Sequence, residues 1–229
     1  KENIVTQREV GREVWRGGAK IVRDDLAEFA ASASLVLNGT PVHKTRYVDQ
    51  AFKQKLFSLT ADSDIKPMHN DWLATELTVV ADYGHGLIGS NEAKEIAAKA
   101  GFLALTVQSN SSNWGFNLLT KWPRADYVVI DQNELRLACG DQHTPVHILA
   151  NAESRRMNAS VFAVTLGHDG AFVIRRDQKQ EHPDDGKWHT NVIGGFFPAL
   201  ADKVVDRMGA GDAFLAATAP LAYVGAPAD

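Results

Sequence analysis

The sequence predicts an α/β fold, a three-layer α/β/α sandwich with a mostly parallel central sheet and a small β lid. Three observations predict it. Runs of β-branched residues alternate with runs of helix formers from residue 76 to residue 222, an order that implies right-handed crossovers and a parallel sheet covered on both faces. The turns "DYGHG", "TLGHDG" and "GAGD" fall at the carboxyl ends of predicted strands, where such sheets collect ligands. Residues 44–60 depart from the alternation: "KTRYVD" and "KLFSLT" interleave polar with apolar or aromatic residues at period two and carry no helical stripe. They read as a small antiparallel lid over approximately residues 40–60.

The remaining elements follow in chain order. "ELTVVADYG" (Glu76 to Gly84) reads as a buried strand running into a turn. "SNEAKEIAAKAG" (Ser90 to Gly101) reads as a helix capped by Ser90 or Asn91 and ended by Gly101. "FLALTVQS" is the next strand, "ADYVVID" another, and "NELRLACG" a helix. "SVFAVTLG" is a strand with "GAFVIRR" as its hairpin partner. "DKVV" (Asp202 to Val205) is a short β-branched strand end, and "DAFLAATAPLA" a helix.

Composition bounds the function. The 229 residues are 45% hydrophobic and 23% charged, an ordinary globular balance long enough for one substantial core, so residues 1–229 are expected to form a single domain. A net charge of −4 and a pI near 6.1 provide no basic field, so neither nucleic acid nor a membrane is an expected partner. There is no apolar run of spanning length and no signal-peptide pattern, and the only cysteine is Cys139. A cytoplasmic location is expected, and the N-x-S/T matches at Asn38, Asn110 and Asn158 are then chance.

The stretch "DRMGAGDAF", Asp206 to Phe214, sits at the last strand-to-helix turn. Gly209 and Gly211 let a ligand approach the backbone. The first N–H groups of the new helix lack intrahelical partners and, with the helix dipole, favour an anion such as phosphate. Asp212 is the odd component, since a carboxylate repels an anion unless its task is to take a proton. A base beside a phosphate cradle is the minimal apparatus for moving a phosphoryl group onto a hydroxyl. The bland alternative is an N-cap acid after a flexible turn.

Two rival motifs point elsewhere. "GHGLIG" (Gly84 to Gly89) matches G-x-G-x-x-G after a strand, the pattern of an NAD-dependent Rossmann oxidoreductase. Its helix signal starts only at Ser90, however, and the following strand ends in Gln108 and Ser109 with no acid for a ribose. No Walker-type motif occurs. Cys139, His143 and His147 are spaced four apart as helical metal ligands would be, but Pro145 interrupts any such helix.

Together these residues resemble the ribokinase-like (PfkB) carbohydrate kinases. "DRMGAGDAF" looks like the family's D-T-x-G-A-G-D-x-F signature. "GGA" (Gly17 to Ala19), "KTRYVD", "DYGHG", "DQNE" and "TLGHDG" appear in the family's order across nearly the whole chain. "KTRYVD…KLF" and "DYGHG" look most similar to the heptose-phosphate kinase branch, which includes kinase domains fused to a nucleotidyltransferase. The resemblance implies ATP and Mg2+ as cofactors, with a monovalent cation near the signature loop, and transfer of the γ-phosphate to a hydroxyl of a sugar or sugar phosphate. It makes Asp212 the base, with Gly209, Ala210 and Gly211 as the anion hole and Asp206 ordering the loop or a nearby cation. Thr165, Gly167 and Gly170 would line the nucleotide pocket, where glycine permits close approach. Glu134 and Asp131 would serve the metal. Gly17 and Gly18 would face the sugar, Lys44 and Arg46 would reach a substrate phosphate, and Asp82 would accept hydrogen bonds from sugar hydroxyls. For Lys44 and Arg46 the alternative is a solvated strand face, and for Asp82 a turn cap.

The chain departs from the family in four respects. Asp131 replaces the asparagine that usually heads N-x-x-E, and Ile21, Arg23 and Asp25 stand after "GGA" where sugar-touching asparagines and a small residue are common. The distance between "ASASLVL" and "NGTPVHKTRYVD" is short, and relatives continue beyond the last helix, so omitted segments or a fragment are expected. An exposed lid sheet would pair with a second copy to give a homodimer. A catalytically silent member that binds nucleotide or sugar is the alternative from another functional class.

Overall fold

The structure is a computed structural model that describes residues 9–14, 17–30, 32–33, 42–49, 51, 55–61, 67, 75–111, 113–176, 180–181, 188–189, 192–200 and 209–226. In chain order the elements are α1 (Gly18–Leu26), β1 (His43–Val48), β2 (Lys55–Ala61), β3 (Leu77–Asp82), α2 (Ser90–Lys99), β4 (Phe102–Val107), β5 (Tyr127–Asp131), α3 (Gln132–Cys139), α4 (Val146–Arg156), β6 (Val161–Thr165), β7 (Ala171–Arg176), β8 (Gln180–Glu181), β9 (Trp188–His189), β10 (Val192–Phe197) and α5 (Ala210–Tyr223).

The central sheet has the order β10-β7-β6-β5-β4-β3. Strands β3 to β6 are parallel, β7 is antiparallel to β6 as the hairpin reading expects, and β10 is antiparallel to β7. Only β7 therefore opposes the common direction. Period-two alternation divides each strand between two cores. Leu103, Leu105, Val128, Ile130, Phe162 and Val164 face Ala93, Ile96, Leu135, Leu149 and Ala150 of α2, α3 and α4. Ala104, Tyr127, Val129 and Ala163 face Leu215 and Ala219 of α5, against which α1 also packs. Helices on both faces of the sheet make the three layers that the sequence predicts.

Strands β3 to β7 and helices α2, α3 and α5 form where the sequence reading puts them. Helix α2 is capped one residue earlier than expected, with Gly89 at the N-cap and its N–H donating to Glu92 Oε2 at 2.9 Å. Helix α4 begins directly after Pro145, since proline suits the first turn although it forbids a helix running through it. "DKVV" lies outside the described residues, and the strand at that edge of the sheet is β10, "VIGGFF". Its two glycines hide the β signal.

The predicted lid residues form an isolated hairpin. Strands β1 and β2 pair antiparallel, with Tyr47 opposite Phe57 and Thr45 opposite Leu59. The Tyr47 and Phe57 rings stack at 4.4 Å, and Tyr47, Phe57 and Leu59 are exposed along one face of the ribbon. No helix among the described residues is long and apolar enough to cross a membrane.

Candidate functional site

The carboxyl ends of β3 and β4 meet the first turn of α5, where Tyr83 and Gln108 lie beside Asp212. That helix is seated on the sheet by Leu215 and Ala219 and by the Tyr127 hydroxyl, which hydrogen-bonds Thr218 Oγ1 at 2.7 Å. Gly209 is its N-cap, in the left-handed region at φ 80° and ψ 0°, a conformation that a side chain would strain. The first helical return bond is Ala213 N–H to Gly209 O, 2.8 Å. The amides of Ala210, Gly211 and Asp212 thus precede the hydrogen-bond ladder. A Cβ built on Gly209 or Gly211 would meet nothing within 4 Å, so among the described residues there is room beside both Cα atoms.

Asp212 is not the N-cap: it stands three residues past Gly209, in the first turn of α5. It is only 6% exposed, and Oδ1 accepts a hydrogen bond from Gln108 Nε2 at 2.9 Å. Burial raises its pKa, the Gln108 hydrogen bond and the nearby Tyr83 hydroxyl pull it back, and the charge of Asp25 raises it further. A desolvated carboxylate held by side-chain donors beside unpaired amides is arranged to accept a proton.

Glu134 and Asp131 come together at the start of α3. Asp131 caps the helix by accepting from Asn133 N–H at 2.8 Å. Glu134 Oε1 accepts from Ser109 N–H at 2.8 Å. Burial, offset by the Ser109 bond and reinforced by the charge of Asp131, pushes the Glu134 pKa from 4.5 up to about 7. A desolvated carboxyl beside a second carboxylate gains from a cation. Among the described residues, no three His, Cys, Asp or Glu side chains group as a metal site. Paired carboxylates are of the oxygen-ligand type that a magnesium ion takes alongside water and phosphate oxygens.

This shift predicts a pH dependence. Because the folded pKa lies above the unfolded one, the stabilising contribution is complete below about pH 4.5 and is lost as pH rises through about 7. Metal-free protein is expected to lose about 1–3 kcal/mol from this group across that window. Glu134→Gln should flatten the fall in thermal denaturation midpoint, and an unchanged slope would reject the assignment.

The other predicted residues distribute unevenly. Thr165 ends β6, its hydroxyl 3.5 Å from Ile130 O. Gly167 opens a 3-10 turn at φ 64° with free space beside it. Gly170 is glycine for a reason other than ligand approach: a Cβ there would strike the Phe197 carbonyl and come within 2.7 Å of Ala199 N. Gly17 caps α1. A Cβ on Gly18 would strike the Tyr83 hydroxyl and lie 3.0 Å from Asp212 Oδ2, so the start of α1 abuts Asp212. Lys44 and Arg46 share one face of the hairpin, Lys44 half-buried and Arg46 exposed. Asp206 lies outside the described residues.

Asp82 requires a correction. It is 3% exposed, and its Oδ2 accepts from Trp122 Nε1 at 3.0 Å and pairs with Lys121 Nζ at 2.5 Å. Oδ1 accepts from Gly84 N–H at 3.1 Å. Protein donors occupy both oxygens, so the carboxylate tethers the β3 turn rather than receiving sugar hydroxyls. The turn-cap alternative identified half of this role. A cavity of about 220 Å3 opens beside this ion pair, lined in part by Ile88, Ser90, Asn117 and Lys121. The Gly89 N–H at its rim is already bound by Glu92.

Sequence reasoning missed Tyr83, Gln108, Asn117 and Lys121. Tyr83 lies inside "DYGHG", yet only the acid attracted attention. Gln108 registered merely as the absence of an acid at the end of a strand.

The sequence profile described as "pfkB family carbohydrate kinase" matches residues 89–220. No curated protein matches the chain. Among solved structures, ribokinase from Arabidopsis thaliana complexed with ribose and ATP is similar with a TM-score of 0.54 and 16% identity, over 81% of this chain and 57% of that one. Phosphofructokinase-2 from Escherichia coli in complex with fructose-6-phosphate is similar with a TM-score of 0.51 and 14% identity, over 80% of this chain and 59% of that one. The chain thus spans less than two thirds of the length of either.

Proposed function

We propose, from the premise that the chain belongs to the pfkB family of carbohydrate kinases, that it moves the γ-phosphate of ATP to a hydroxyl of a sugar or sugar phosphate. One observation carries the reading: a buried carboxylate, Asp212, adjoins amides that precede their helix's hydrogen-bond ladder, with room among the described residues beside the Cα atoms of Gly209 and Gly211. Asp212 takes the proton of the acceptor hydroxyl. The N–H groups of Gly209, Ala210 and Gly211 stabilise the phosphoryl oxygens, where charge develops during transfer. Asp131 and Glu134 hold magnesium through water, and the metal supplies charge neutralisation at the phosphates. Thr165 and Gly167 bound the nucleotide side, Gly17 and Gly18 the sugar side, and Lys44 and Arg46 reach a phosphorylated substrate. Asp206 orders the signature loop with a monovalent cation.

The finer reading, a heptose-phosphate kinase joined to a nucleotidyltransferase in the cytoplasm, rests on "KTRYVD…KLF" and "DYGHG" alone. The exposed apolar face of the hairpin supports a homodimer formed through the lid. The test measures ATP consumption with magnesium against a panel of aldoses, ketoses and their monophosphates, heptose phosphates included. Sugar-dependent turnover supports the kinase. Nucleotide binding without turnover on any sugar would favour the silent module instead.

A further inference from the structure

We propose that Tyr83 and Gln108 are positioning residues that grip the Asp212 carboxylate from two sides, one at each oxygen. The inference rests on the kinase reading only for what the carboxylate acts upon. On one side, Gln108 Nε2 donates to Oδ1 at 2.9 Å. On the other, the Tyr83 hydroxyl and Oδ2 converge over the bare Cα of Gly18, where a Cβ would strike the first and lie 3.0 Å from the second. The Tyr83 oxygen is buried and has no partner of full hydrogen-bond geometry in this structure. Burial and the neighbouring Asp212 raise its pKa, so the phenol stays protonated and serves as a donor.

The fold pins both residues. Asp82 and Val107 are register partners at the ends of β3 and β4, so Tyr83 and Gln108 emerge side by side. Gln108 continues the side of β4 that Ala104 presents to α5. Its N–H donates to Asp82 O at 2.9 Å and its carbonyl accepts from Asn117 Nδ2 at 3.0 Å. The Tyr83 carbonyl accepts from Asn110 Nδ2 at 3.0 Å and from Asn113 Nδ2 at 3.2 Å.

The grip meets a specific chemical need. An acid in the first turn of a helix is drawn to that helix's own free N–H groups, and Asp212 there would fill the phosphate cradle with negative charge. Two donors from the sheet hold it to one side. Each carboxylate oxygen keeps a second lone pair, so Oδ2 can still accept from a substrate hydroxyl. Among the described residues, the groups that act on Asp212 are Asp25 of α1, Tyr83 after β3 and Gln108 after β4, with Glu134 of α3 within electrostatic range; Asp25 favours its protonated form and the two donors its ionised form.

The test follows the Asp212 carboxyl by 13C NMR through a pH titration of the full chain labelled at aspartate, with Asp212→Asn to assign the signal. Tyr83→Phe keeps the ring and Gln108→Met the volume. Each is expected to move the Asp212 midpoint to higher pH by about half a unit or more, and the double variant further. On any sugar the parent phosphorylates, each should lower kcat about 10- to 100-fold with the KM for ATP unchanged, and shift the acid limb of the pH profile in step. Unmoved midpoints in both single variants would overturn the grip. Moved midpoints together with undiminished turnover in Asp212→Asn would uphold it and overturn the base assignment instead.

Discussion

Replacing Asp212 with asparagine is expected to lower phosphoryl transfer by about 100- to 10,000-fold, the range for loss of a general base. The substitution is nearly isosteric, and the amide still offers an oxygen to Gln108 Nε2. The α5 start has Gly209 as its N-cap at φ 80° and should persist. ATP affinity is therefore expected to stay within about threefold of the parent, or to improve slightly as a buried negative charge near the phosphates disappears. Steady-state kinetics and nucleotide titration together decide the matter. A loss confined to KM for the sugar would make Asp212 a binding group, and full activity would remove it from the chemistry.

Asp82→Ala is expected to cost about 3–5 kcal/mol of stability, because it strands a largely buried cation. Lys121 is 14% exposed at its side chain and pairs with Asp82 at 2.5 Å. Its remaining partners are the Ile88 carbonyl at 2.9 Å and Asn117 Oδ1 at 2.7 Å, neutral acceptors that cannot balance its charge. Trp122 is fully buried and would lose the acceptor for its indole N–H. At this chain length the thermal midpoint should fall by roughly 10 °C. The double variant Asp82→Ala, Lys121→Met should recover a large part of the loss. A stable Asp82→Ala protein with a raised KM for sugar would restore the original expectation of a substrate contact.

Much of the fold was legible in the chain because its signals are local. Alternation in β3 to β7 and the helix formers of α2, α3 and α5 carry their own period, and the pattern persists because buried faces demand it. Two of the elements that escaped notice had weak local signals: β10 contains Gly194 and Gly195, and α4 follows a proline. The site divides along the same line. Gly209 to Asp212 declared itself through glycine spacing and an acid near a helix start. Tyr83 and Gln108 carry no motif of their own. Asp82 was misread because its chemistry depends on Lys121 and Trp122, which approach it only across folded loops.

By itself, then, the sequence determined the layered α/β architecture, the glycine bend before α5 and the identity of the acid in that helix's first turn, since each is encoded within a few adjacent residues. Tertiary structure alone decided which groups hold that acid and which carboxylate is spent on an internal ion pair. The bond between Gln108 and Asp212 joins residues 104 positions apart. It exists because parallel strand register and the seating of α5 bring them within hydrogen-bonding distance, and no local pattern encodes that distance.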